Sequence, residues 1–353
     1  MKTEVHREGD RVWIVATAGW SCFDKQSSVH AAQEAVMRAI GEDTTYDYLL
    51  GVSSLAFRMQ ISQKGLCPSS PQSCCGYRCV ARSVQALPWN VGIFEFKPEE
   101  KDKVREVRRA VVESIKRGIP VQYGNEEDGI IVGYQKGGEE WICYHPLQDG
   151  GKNPFVVTQW PWGVAIFTSR KETNPSRRDL AIGALQQAVA MARTQNTSTY
   201  LVGFEAWVEY IMRLRVLEEA DEATRMAAAL GNAWIYECLA QYRASAARYL
   251  LDVAGEFDLP ATEHLMKAAR LYERMSSEVL RDEERCTATI APYPGMLRSG
   301  KVWSAEMRQE QIRRLECALP LERETIGEIE QAMALVADSA EQHAAADADK
   351  PRR

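Results

Sequence analysis

Long apolar runs are missing from this 353-residue chain: none approaches the roughly 18–20 residues needed to cross a bilayer, so no spanning helix is expected. The first ten residues, Met1 to Asp10, are polar, and no targeting segment is expected there. A basic surplus is missing as well, since 43 Lys and Arg stand against 49 Asp and Glu, a formal net charge of −6. Nucleic acid and anionic membrane surfaces both reward clustered cations, so neither is expected as a partner. The chain has no Walker loop, no dinucleotide glycine fingerprint, no G-x-S-x-G elbow and no H-E-x-x-H pair. No cofactor and no metal centre are expected. Nine cysteines cannot all pair with one another, which does not suit a disulfide framework and points to reduced thiols in the cytoplasm.

What is present changes character near Asn174-Pro175. Before that point short β-like runs recur at residues 11–16, 91–96, 120–123, 129–134, 141–144, 154–158 and 164–168, with helical stripes over 22–40 and 99–117. Beyond it the chain is rich in Ala, Leu, Met, Glu and Arg, and the periodicity predicts helices over 176–194, 199–218, 222–254, 261–280 and 304–337. The expected organisation is an α+β domain over residues 1–170, a helical bundle over 175–340 and a disordered tail over 341–353, which carries no large apolar residue.

Gly19-Trp20-Ser21-Cys22 follows the apolar run Val12-Trp13-Ile14-Val15, and Val29, Ala32, Val36 and Ile40 then recur at helical spacing. This places Cys22 in the first turn of a helix, where unpaired amides and the macrodipole favour thiolate. That is how a cysteine nucleophile is built; the plain alternative is a small buried hydrophobe. Further on, residues 129–145 read as a β-hairpin turning on Gly137-Gly138. In the simplest register Gln135 faces Glu140, Val132 faces Cys143, and Asp128 and His145 share one face as diagonal neighbours. An acid and an imidazole would then meet at one end of the sheet. Cys67, Cys74, Cys75 and Cys79 crowd one Pro- and Ser-rich loop, without the paired C-x₂-C spacing of structural zinc sites. Among the later helices, Asn232, Glu237 and Arg243 need partners if they are buried, and they are candidates to line a cleft.

Taken together, the cysteine opening residues 22–40, the stretch Tyr48-Leu49-Leu50-Gly51-Val52-Ser53-Ser54-Leu55-Ala56-Phe57-Arg58, the triplet Cys67-Pro68-Ser69, and Gly118-Ile119-Pro120-Val121 leading to Asp128-Gly129-Ile130-Ile131-Val132-Gly133-Tyr134 form one pattern. It resembles the N-terminal family of butirosin-biosynthesis protein H, which is similar in turn to the C39-like, papain-like cysteine peptidases. The resemblance covers about residues 11–168, and the helical half looks like the extension many such proteins carry. It implies a papain-like fold and thiol chemistry at an acyl group, either amide hydrolysis or acyl transfer from a thioester to an amine. Cys22 matches the nucleophile position. Asp128 and His145 stand where the pattern has a histidine entering one strand and an aspartate following the next, in exchanged order, and Thr17-Ala18-Gly19 replaces the upstream glutamine.

Two expectations follow. In one, Cys22 attacks a carbonyl of a peptide, small-molecule or acyl-thioester substrate, His145 moves the proton and Asp128 orients the imidazole. In the other, the chain is a catalytically inactive papain-like binding module for a peptide or small amide. The separation of Cys22 from His145 discriminates them.

Overall fold

Short apolar runs bounded by Gly, Pro and Asn become strands, and the Ala- and Leu-rich stripes become helices. In chain order the computed structural model has β1 (Val5–Glu8), β2 (Arg11–Ile14), α1 (Ser28–Ala39), α2 (Tyr46–Val52), β3 (Gln60–Ser62), α3 (Cys79–Ala86), β4 (Trp89–Glu95) and α4 (Lys101–Lys116). Strands β5 (Val121–Gly124), β6 (Asp128–Gln135), β7 (Glu140–Tyr144), β8 (Phe155–Val157) and β9 (Gly163–Arg170) follow. The remainder is α5 (Arg177–Arg193), a short β10 (Tyr200–Val202), α6 (Gly203–Glu219), α7 (Glu222–Ala254), α8 (Leu259–Arg274) continued by a π-turn over Met275–Val279, α9 (Pro294–Arg298) and α10 (Ala305–Ala348). The structure describes residues 4–15, 18–72, 77–97, 100–194, 199–281 and 286–348, with side chains to 339 except at 294 and 298. The class is α+β with an antiparallel sheet, and no helix among the described residues is long and apolar enough to cross a membrane.

The chain divides into two compact units, Met1–Leu49 with Ser83–Asn174, and Leu50–Arg82 with Pro175–Arg353. One boundary falls at Asn174-Pro175, whereas the other two cut the stretch expected to form one domain over 1–170. Residues 50–82 join the helical unit because their β3 pairs with β10 and because α7 has its one glycine where this segment approaches: a Cβ on Gly231 would lie 1.7 Å from the Leu66 carbonyl oxygen. The expected tail over 341–353 is helical as far as Ala348, in keeping with its Ala, Glu and Gln, all good helix formers, and residues 349–353 lie outside the described residues.

In the first unit β6 changes partner along its length. Its start pairs with β5 and its end with β2, while β7 holds its other edge. The run Gly129-Ile130-Ile131-Val132-Gly133 has no polar side chain because both its faces are buried. One face packs on Val107, Val111 and Ile115 of α4 and carries Tyr123, Ile131, Trp141 and Cys143. Alternation puts Gln122, Asp128 and Ile130 on the other, where α1 packs against β5 and β6.

In the second unit α5 and α7 are capped by Ser176 and Asp221, whose side chains accept from the amides of Asp179 at 3.0 Å and Thr224 at 2.7 Å. Buried Arg243 of α7 forms a two-pronged pair with Glu322 of α10, both contacts at 2.7 Å, and donates to the Ala56 carbonyl at 2.8 Å. Asn232 donates to Gln311 at 3.0 Å and accepts from Tyr210 at 2.6 Å. Glu237 accepts from Tyr293 at 3.2 Å and from the Thr287 hydroxyl. The three polar residues singled out in this half are therefore satisfied inside the bundle.

Candidate functional site

Cys22 sits in a single tight turn. The Ser21 carbonyl accepts from the amides of Asp24 and Lys25, both at 3.0 Å, and its hydroxyl accepts from the Phe23 amide at 3.1 Å. Helix α1 begins only at Ser28, with Ser27 in extended conformation at the N-cap and its hydroxyl 2.7 Å from His30 Nδ1. The expected place of Cys22 in the first helical turn is thereby corrected. Its thiol is buried, and burial together with the neighbouring Glu127 carboxylate outweighs the help of the Cys22 and Phe23 amides, pushing it up to about 11. A depressed thiol pKa is the expectation from the sequence; burial first and the Glu127 charge second reverse it, and no helix N-terminus begins at Cys22 to offset them.

The hairpin turns as expected. The Lys136 carbonyl accepts from the Glu139 amide at 3.2 Å, Gly137 and Gly138 both take positive φ (66° and 95°), and Gln135 faces Glu140. Three residues before the strand end, however, Val132 bulges out of the ladder, so Ile131 faces Cys143 and Ile130 faces Tyr144. Every pair beyond the bulge shifts by one, and a one-residue slip exchanges faces. Asp128 consequently projects to the α1 side, where Gln122 Nε2 donates to its carboxyl at 2.5 Å. His145 projects to the α4 side and stacks on Tyr123 with ring centroids 6.1 Å apart. The expected Asp128–His145 pair is not assembled.

His145 has both ring nitrogens engaged by backbone. Nδ1 accepts from the Leu147 amide at 3.3 Å, and Nε2 donates to the Glu127 carbonyl at 3.1 Å. Burial holds its pKa below the ordinary imidazole value, with the Glu127 carbonyl and the Glu126 carboxylate opposing that shift. The ring also lines a cavity of about 340 Å³ whose walls are Tyr123, Trp141, Phe155 and Val157, with Asn125, Glu126, Gln148 and Gln159 supplying polar groups.

On the other face Glu127, whose charge acts on Cys22, is joined to Asp128 through Ser28. The Ser28 hydroxyl donates to Glu127 at 2.5 Å and accepts from the Asp128 amide at 2.9 Å. Burial raises Glu127 to about 7 despite that hydrogen bond, with the Asp128 and Glu126 charges adding to the rise. Burial likewise raises Asp128 to about 6, against the Gln122 hydrogen bond. Sequence reasoning passed over Glu127, Ser28 and Gln122; the signal was the acidic run Glu126-Glu127-Asp128 abutting an apolar strand, where at least one carboxyl has to be desolvated. In the cysteine loop, Cys67 is exposed and Cys79 is buried 3.9 Å from Arg58 Nη1. Cys74 and Cys75 lie outside the described residues. No protein-family model matches this chain, and no curated protein matches it.

Proposed function

We propose that the first unit is a catalytically inactive binding module, papain-like in frame, that holds a peptide or small amide in the cavity beside His145. The observation that carries this reading is the imidazole's hydrogen bonding. Its single lone pair is taken by the Leu147 amide and its N–H by the Glu127 carbonyl, which leaves no acceptor for a thiol proton. A thiol with a pKa of about 11 needs such a base. The cavity has the composition an amide ligand requires: aromatic walls for an apolar flank, and the carboxamides of Asn125, Gln148 and Gln159, each able both to donate and to accept. The free thiols among the described residues suit a reducing compartment, and we place the protein in the cytoplasm.

Titration of the whole chain with N-acetyl dipeptide amides, followed by nuclear magnetic resonance, tests the reading. Saturable binding weakened about tenfold by Gln159→Ala, the loss of one hydrogen bond to a neutral group, and untouched by Cys22→Ala is the expected result. The acyl-transfer reading has one observation in its favour, the Glu127 carboxyl near 7 beside the Cys22 sulfur. Turnover of a thioester abolished by both Cys22→Ala and Glu127→Gln would establish it and displace the binding module.

A further inference from the structure

The cavity beside His145 carries charge of one sign only. Glu126 is the single carboxylate in its wall, and no Lys or Arg lines it. His145 adds no compensating charge at neutral pH, because burial holds its pKa below the ordinary imidazole value. Glu126 is exposed and has no ion-pair partner among the described residues. The carboxylates acting on the wall groups Tyr123 and His145 are Asp128 and Glu126, and no cation opposes them. Arg108, whose guanidinium lies 5.0 Å from the centre of the Trp160 ring, is not part of the wall. The rest of that wall is rich in rings, with Tyr123, Trp141 and Phe155 beside the imidazole. Ring faces attract cations and repel anions. A carboxylate without a counter-ion, set among aromatic side chains, is complementary to a ligand with an apolar stem and a positive end and mismatched to one that carries a carboxylate.

We propose that the residue this cavity takes from a peptide or small amide is lysine, its methylene stem against Leu147 and Phe155 and its ammonium held by Glu126. The inference rests on the reading of the cavity as an amide-binding site and adds the charge that selects the occupant. Lysine suits an open cavity because its stem can be buried while its head stays in water. Leu147, a wall residue that is 48% exposed, brings apolar surface for that stem to the opening.

Calorimetric titration of the full chain with the N-acetyl amides of lysine, norleucine and glutamate tests the proposal, norleucine having the same carbon stem without the ammonium. The lysine amide should bind one to one and about tenfold more tightly than the norleucine amide, the gain expected of one charge-assisted contact, and the glutamate amide should bind more weakly than either. Glu126→Gln should bring the lysine-to-norleucine ratio to about one, and Glu126→Lys should place glutamate above lysine. Both variants alter an exposed side chain and should leave the melting temperature unchanged. Equal affinity for the three amides, or a lysine preference that survives Glu126→Gln, would overturn the proposal and leave the amide-binding reading standing. Saturable binding of none of the three would overturn both.

Discussion

Two desolvated carboxyls, Glu127 and Asp128, and one imidazole, His145, set the pH response of the first unit. A carboxyl whose pKa is higher in the folded than in the unfolded chain keeps its proton longer when folded, so folding loses stability as pH rises from the unfolded value to the folded one. For Glu127 that window runs from 4.5 to about 7, and for Asp128 from 3.8 to about 6. His145 works in the opposite sense: its depressed folded pKa means that stability is lost as pH falls through the imidazole range. Glu127→Gln isolates one contribution from the others. Scanning calorimetry should show that the variant loses less melting temperature than the parent between about pH 5 and about pH 8, with the gap opening as the parent's Glu127 ionises. Parallel curves for the two proteins would mean that this carboxyl is not desolvated.

At the level of elements, what the sequence revealed and what it hid have the same physical origin. Periodicity and turn chemistry are local, and the strands and helices they predict over residues 91–96, 129–134, 141–144, 176–194 and 222–254 are found within a few positions of those bounds. The Gly137-Gly138 turn was legible because glycine takes positive φ at little cost, although the turn extends one residue further back, to Lys136 at φ 51°. The Val132 bulge was not, since register depends on pairing with strands remote in sequence, β2 among them. A Cβ on Gly133 would lie 2.5 Å from the Val12 carbonyl oxygen, so Gly133 marks the place, and a glycine inside a strand was the available hint. The start of α1 was misjudged because a turn closed by Ser21 and a helix capped at Ser27 share one apolar periodicity. In the helical unit the charged tie between α7 and α10 is Arg243 with Glu322, which are 0% and 2% exposed. Arg243→Ala strands a buried carboxylate and should cost about 3–5 kcal/mol in urea denaturation, while Arg243→Met with Glu322→Leu should recover most of it. Equal losses in the single and double variants would show that packing, not charge, fixes this contact.

At the scale of the whole chain, residues 50–82 are the decisive segment, because they lie in the first half of the sequence yet complete the helical unit. They supply β3 to pair with β10 and the Ala56 carbonyl to Arg243. A fragment spanning 175–348 should therefore melt broadly and at lower temperature than the same fragment carrying residues 50–82 through a flexible linker, as followed by circular dichroism. Identical melting would show that the segment is dispensable. Whether Cys22 and His145 act together separates a binding module from an enzyme. Mass-spectrometric labelling of Cys22 by dilute iodoacetamide, measured across pH in the parent and in His145→Ala, asks this directly. Labelling should be negligible at neutral pH and rise only toward about 11, with superimposable profiles for the two proteins. Rapid labelling of Cys22 at neutral pH that disappears in His145→Ala would contradict the binding-module reading.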